Sequence, residues 1–105
     1  MGIETITDQN FASTLQNNKK VVVKYFANWC GSCKLFKAKF KRLSNDERFE
    51  DVHFIEVNAE ENDEARRTAG VNNLPFFAVF QDGSLVEGIS TTKEEAVVDL
   101  ISKLN

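Results

Sequence analysis

The chain has one proline, one histidine, one tryptophan, one tyrosine and two cysteines in 105 residues. Each scarcity closes off a class of protein. Small secreted scaffolds are dense in disulfides, and two cysteines only three positions apart, Cys30 and Cys33, do not make such a framework. Two thiols and the single His53 fall short of the four ligands that structural zinc takes, so a metal centre is not expected and His53 reads as a strand residue. No Pro-, Gly- or Ser-rich linker interrupts the chain. No apolar run approaches the roughly 20 residues that cross a bilayer. The start, MGIETITDQN, lacks the basic-then-apolar order of a signal peptide, and Ile6 stands where N-myristoylation needs Ser or Thr. Positive charge is not in excess either. With a net charge of −3, neither nucleic acid nor a membrane surface is an expected partner. A cytoplasmic location is the default that remains.

What is present is ordinary globular material, 42% hydrophobic and 28% charged. It is too apolar for disorder and is sized for one domain spanning residues 1–105. Residues 8–18 read as a helix with Phe11 and Leu15 inward, and VVVKYFA (21–27) as a buried strand. From Cys30 the spacing turns helical, with Cys33, Phe36, Phe40 and Leu43 on one face. Lys34, Lys37, Lys39, Lys41 and Arg42 fall mostly on the others. They read first as a solvated surface, and as a patch that could steer acidic partners. VHFIEVN (52–58) is a second strand. Residues 61–70 have helix polarity, acidic early and basic late, with Gly70 as the stop. FFAVFQ, Asp82-Gly83 and SLVEGIS form a hairpin pattern. The last segment opens with Thr92 and Glu95 at capping-box spacing, followed by Ala96, Val97, Leu100, Ile101 and Leu104 at helical intervals. Strands alternating with helices and ending in a hairpin predict an α/β fold, a mixed sheet covered by helices.

ANWCGSCK (27–34) raises three readings. Half a metal site lacks the remaining ligands. A structural staple across two intervening residues closes too small a loop, contributing only about 2 kcal/mol by chain entropy. The redox reading explains the placement. Cys30 falls where a strand gives way to a helix, so unpaired N–H groups and the helix dipole favour its thiolate. Cys33 lies one turn on, on the same face. Gly31 and Ser32 are small, which leaves room for a bulky partner at the first sulfur.

With Trp29 before Cys30 and Lys34 after Cys33, the chain resembles the thioredoxin family, and the resemblance covers nearly its whole length. It includes Phe11, the apolar strand before the cysteines, Gly70-Val71, Leu74-Pro75, the FQDGS turn and the C-terminal amphipathic helix. The resemblance implies a thioredoxin fold and thiol–disulfide exchange on protein disulfides, with Cys30 as nucleophile and Cys33 as resolving thiol. It also implies a cis bond before Pro75, and a substrate rim of Trp29, Gly31, Val71, Leu74 and Pro75. No cofactor is needed in the domain itself, which would act as a monomer. A flavoprotein thioredoxin reductase drawing on NADPH would recycle it. A thioredoxin-fold binding module, gated by the cysteine pair, is the alternative.

Five positions depart from the family pattern. Lys24 replaces a buried aspartate, Ser32 a proline between the cysteines, Ala38 a helix-kinking proline, Phe76 a threonine and Thr91 a glycine. Lys24 matters most. As an ammonium it would favour a Cys33 thiolate where the aspartate disfavours one. As a neutral amine it would accept the Cys33 proton. The alternative has it snorkelling along a strand edge to water. Ser32 carries a hydroxyl able to donate to the Cys30 thiolate. Both changes predict a protein less reducing than a standard thioredoxin.

Overall fold

The computed structural model describes residues 2–105. Its strands are β1 (Glu4–Thr5), β2 (Lys20–Phe26), β3 (His53–Asn58), β4 (Phe76–Gln81) and β5 (Ser84–Ser90). Between and after them run α1 (Asp8–Asn17), α2 (Gly31–Ser44), α3 (Asp63–Ala69) and α4 (Glu94–Ile101), with a 3-10 turn at Glu47–Phe49. The sheet order is β1-β3-β2-β4-β5. β3 lies parallel to both β1 and β2, whereas β4 runs antiparallel to β2 and β5. The α/β architecture expected from the sequence is therefore the observed one. β2, with its core residues almost wholly buried, occupies the centre.

Strand periodicity divides the core. Alternate residues of a strand point to opposite faces, so Val21, Val23 and Tyr25 join Ile55 and Val57 against Phe11 and Leu15 of α1 and Ala65 of α3. On the other face Val22, Phe54, Phe77 and Val79 meet Phe36, Phe40 and Leu43 of α2 and Val97 and Leu100 of α4. Phe77 is fully buried, with its ring centroid 4.8 Å from that of Phe36 and 5.8 Å from that of Phe40. Tyr25 keeps its buried hydroxyl satisfied by donating to the Ala65 carbonyl at 2.8 Å, which ties the central strand to α3.

The hairpin turns as its sequence predicts. Asp82 and Gly83 both have positive φ, 53° and 85°, the conformation of a two-residue turn that matches strand twist. α3 ends at Gly70 in the left-handed conformation. α4 departs from expectation. Its N-cap is Lys93 with no side-chain cap, and Thr92 and Glu95 do not form the anticipated box. The Thr91 hydroxyl accepts the Lys93 N–H at 3.0 Å instead, so a hydroxyl turn delays the helix start. The sequence also gave no sign of β1, which has two exposed residues and exists only through its pairing with β3.

Phe76 and Gly88 explain one another. A Cβ at Gly88 would come within 2.7 Å of the Phe76 ring, which is buried and lies edge-on to Tyr25 at 6.1 Å. Phe76 follows Pro75, so the ring cannot retreat without disturbing the loop beside the cysteines. Gly88→Ala is expected to lower unfolding stability by about 1–3 kcal/mol, the usual cost of overpacking. Urea denaturation checks this, and an unchanged midpoint would show that the ring moves freely.

Candidate active site

The strand that feeds the cysteines is held at its end. The Ala59 N–H donates to the Phe26 carbonyl at 2.8 Å, and the Cys30 N–H donates to Ala27 at 3.1 Å. The chain then enters α2 with Cys30 as N-cap. The Cys33 N–H donates to Cys30 Sγ at 3.1 Å, so the sulfur takes the place that a Ser or Asp oxygen fills in an ordinary cap. A negative sulfur is favoured there by the free N–H groups and the helix dipole, an effect of about 0.3–1 kcal/mol. Cys30 and Cys33 form a disulfide with their Cα atoms 5.3 Å apart. The donor to Cys30 is thus the backbone; the exposed Ser32 hydroxyl makes no hydrogen bond to it in this oxidised form.

Burial does not separate the two sulfurs, because Cys30 is 5% exposed and Cys33 3%. Both pack with Ala27, Phe26 and Leu74. What separates them is direction along the helix. Cys30 sits at the open end beside the exposed Gly31 and Ser32. Cys33 lines a half-open cavity of about 220 Å³, together with Lys24 and Glu56.

Around the disulfide the sequence-selected residues converge unevenly. Trp29 is 69% exposed and forms an open apolar surface. The Leu74–Pro75 bond is cis, and the Leu74 side chain packs on the cysteine cluster. Val71 is a correction. It is only 7% exposed and belongs to the core beneath α3, so its side chain adds no apolar rim. The left-handed Gly70 turns the chain inward just before it. Glu60 and Arg66 were not singled out from the sequence. Trp29 Nε1 donates to Glu60 Oε1 at 3.0 Å, Arg66 Nη1 lies 3.5 Å from Glu60 Oε2, and Arg66 Nε donates to the Val71 carbonyl at 3.4 Å. This chain of contacts pins the exposed indole to the loop before Pro75. Nothing in the sequence marks it, since the three side chains come from separate elements.

Lys24 does not reach water along a strand edge. It lies in the central strand and is 2% exposed. Its ammonium sits 3.4 Å from Glu56 Oε2, 5.4 Å above the Phe40 ring and 5.9 Å from that of Phe26. Burial pulls its pKa below the ordinary lysine value, with Glu56 opposing the fall and Lys37 adding to it. Of the α2 cations, Arg42 pairs with Glu94 at 2.9 Å and Lys39 lies over Phe36, which fits a solvated helix face. His53 opens β3 at the far end of the sheet, paired with Val21, its Nε2 3.0 Å from Glu4. The larger cavity there, about 570 Å³, is lined by Glu4, Ser44, Glu47 and His53 and lies away from both cysteines. Among the described residues, no helix is long and apolar enough to cross a membrane.

Comparison with known proteins agrees with this geometry. The thioredoxin family model matches residues 2–103. Thioredoxin-1 of Schizosaccharomyces pombe is 34% identical over 91% of this chain and 95% of its own. Thioredoxin Asp f 29 of Aspergillus fumigatus is 36% identical over 83% and 81%. The structure of Plasmodium falciparum thioredoxin superposes with a TM-score of 0.88 at 28% identity, covering 98% of this chain and all of that one. Because the match runs from β1 through α4 and not through the cysteine motif alone, the chain belongs to the thioredoxin family, and its activity is that of a thiol–disulfide oxidoreductase.

Proposed function

We propose that this protein reduces disulfides of other proteins, with Cys30 as nucleophile and Cys33 as resolving thiol. The observation that carries the assignment is the Cys33 N–H donating to Cys30 Sγ at the start of α2. In the reduced enzyme that bond and the helix dipole favour the Cys30 thiolate. The thiolate attacks one sulfur of the substrate disulfide; a Cys30–substrate bond forms and the other substrate sulfur leaves as a thiolate that takes a proton from water. Cys33 gives up its proton to water and attacks Cys30. The mixed disulfide breaks, the second substrate sulfur leaves, and two electrons have passed from the dithiol to the substrate.

Trp29 and Leu74, with the backbone around Gly31, Val71 and Pro75, form the surface on which an extended substrate segment docks. Lys24 places positive charge on the Cys33 side, so the reduced form is favoured and the potential is less negative than usual for the family. Ser32 adds a donor once Cys30 is a thiolate. On the same reading the protein acts as a cytoplasmic monomer in electron transport, recycled by a flavoprotein thioredoxin reductase.

Alkylation of the reduced protein tests the roles. Limiting iodoacetamide in mildly acidic buffer is expected to label Cys30 first, faster by about tenfold, the effect of one pKa unit. Peptide mapping reads the site, and first labelling at Cys33 would reverse the assignment.

A further inference from the structure

Every charged group around the cavity behind Cys33 can be named. Lys24 comes from β2, Glu56 from β3, and Lys34 and Lys37 from α2, with Asn28 and Phe26 completing the wall. β4 contributes no charge opposite Lys24, whose partner there is Phe77. The carboxylate facing this cavity is therefore that of Glu56.

Its position is set by the sheet. β2 and β3 pair in register Lys24↔Glu56, and by strand alternation both side chains fall on the α2 face with Val22 and Phe54. The two carboxylate oxygens have separate tasks. Oε1 accepts the Thr5 hydroxyl of β1 at 3.1 Å, and Oε2 faces the Lys24 ammonium at 3.4 Å. Thr5 thus fixes the orientation of the carboxylate. A lysine this buried cannot stay charged without a partner, because losing the counter-ion leaves an uncompensated charge. Glu56 keeps 19% of its side chain exposed, against 3% for Lys24.

We propose that Glu56 is a positioning residue for the resolving step: it holds Lys24 as an ammonium on the Cys33 side of the cavity, and the Cys33 thiolate is favoured through that ammonium. The carboxylate acts against its own sign. By itself it would repel a thiolate, and with Lys24 present its net effect is to supply positive charge. This inference rests on Cys33 being the resolving thiol.

The test is a titration of Cys33 by its ultraviolet thiolate absorbance in a Cys30→Ser background, where it is the single thiol. Glu56→Gln is expected to raise the Cys33 pKa by about one unit, a tenfold loss of thiolate at fixed pH. Glu56→Asp should restore part of the shift. In a Lys24→Met background the same Glu56→Gln change is expected to lower the Cys33 pKa, since only the repulsion is then removed. A purely structural role for Glu56 would not reverse sign with Lys24. A fall, or no change, on Glu56→Gln with Lys24 present overturns the proposal. Such a result leaves the cysteine roles intact, because alkylation of the otherwise unaltered protein decides those separately.

Discussion

Replacing Cys30 with serine is expected to bring insulin-disulfide reduction down to the background of dithiothreitol alone. Cys33→Ser is expected to lose turnover as well, but by a different route, accumulating a mixed disulfide with the substrate. The asymmetry follows from the site. Cys30 caps α2 and opens toward Gly31 and Ser32, whereas Cys33 faces the cavity it shares with Lys24 and Glu56. Without Cys30 no bond to substrate forms. Without Cys33 the bond forms and cannot be resolved internally, because a covalent route needs both half-steps. Non-reducing electrophoresis reads the trapped adduct. Turnover by Cys30→Ser equal to that of the unaltered protein would remove the catalytic role and leave a binding module.

Lys24→Asp is expected to make the reduction potential more negative, by about 30 mV for each pKa unit of thiolate stabilisation removed. In the unaltered protein the potential should lie above the roughly −270 mV of thioredoxin. The sign follows from which redox state each charge favours. An ammonium stabilises thiolate, thiolate belongs to the dithiol form, and a stabilised dithiol makes the disulfide easier to reduce. Lys24→Asp reverses that charge and sets a second carboxylate beside Glu56, 3.4 Å from where the ammonium had been. Two like charges in one cavity disfavour the thiolate further. The variant should also lose stability, on the order of 2 kcal/mol. That is below the ~3–5 kcal/mol of a fully buried broken pair, because Glu56 is partly exposed. Equilibration against a glutathione series measures the potential. A value at or below the thioredoxin figure for the unaltered protein, or no shift in Lys24→Asp, would exclude a redox role for the lysine.

Much of the fold was legible because it is written in local patterns. The β-branched run of β2, the helical spacing from Cys33 to Leu43 and the Asp82-Gly83 turn each depend on neighbours in sequence. Elements that depend on more than the local hydrophobic pattern were less legible. β1 is two residues held by β3, and α4 begins later than Thr92 and Glu95 suggest because Thr91 turns the chain first. The site divides in the same way. The cysteines, Trp29, Leu74 and Pro75 come from short recognisable stretches. Glu60, Arg66 and Glu56 are ordinary charged residues until folding sets them against Trp29, Val71 and Lys24.

The sequence by itself determined the chemistry. Two thiols three apart, where a strand gives way to a helix, put one sulfur at a helix N-terminus with a disulfide partner within reach. The surroundings were decided by the tertiary structure alone. A lysine in an apolar strand has the same local pattern whether it snorkels to water or is sealed in the core. Only the strand order, which puts β2 at the centre, and the register, which sets Glu56 beside Lys24 on the α2 face, close off the first course. The physical reason is parity. Side chains alternate across a sheet, so a one-residue change of register would send Glu56 to the opposite face and leave Lys24 buried without its counter-charge.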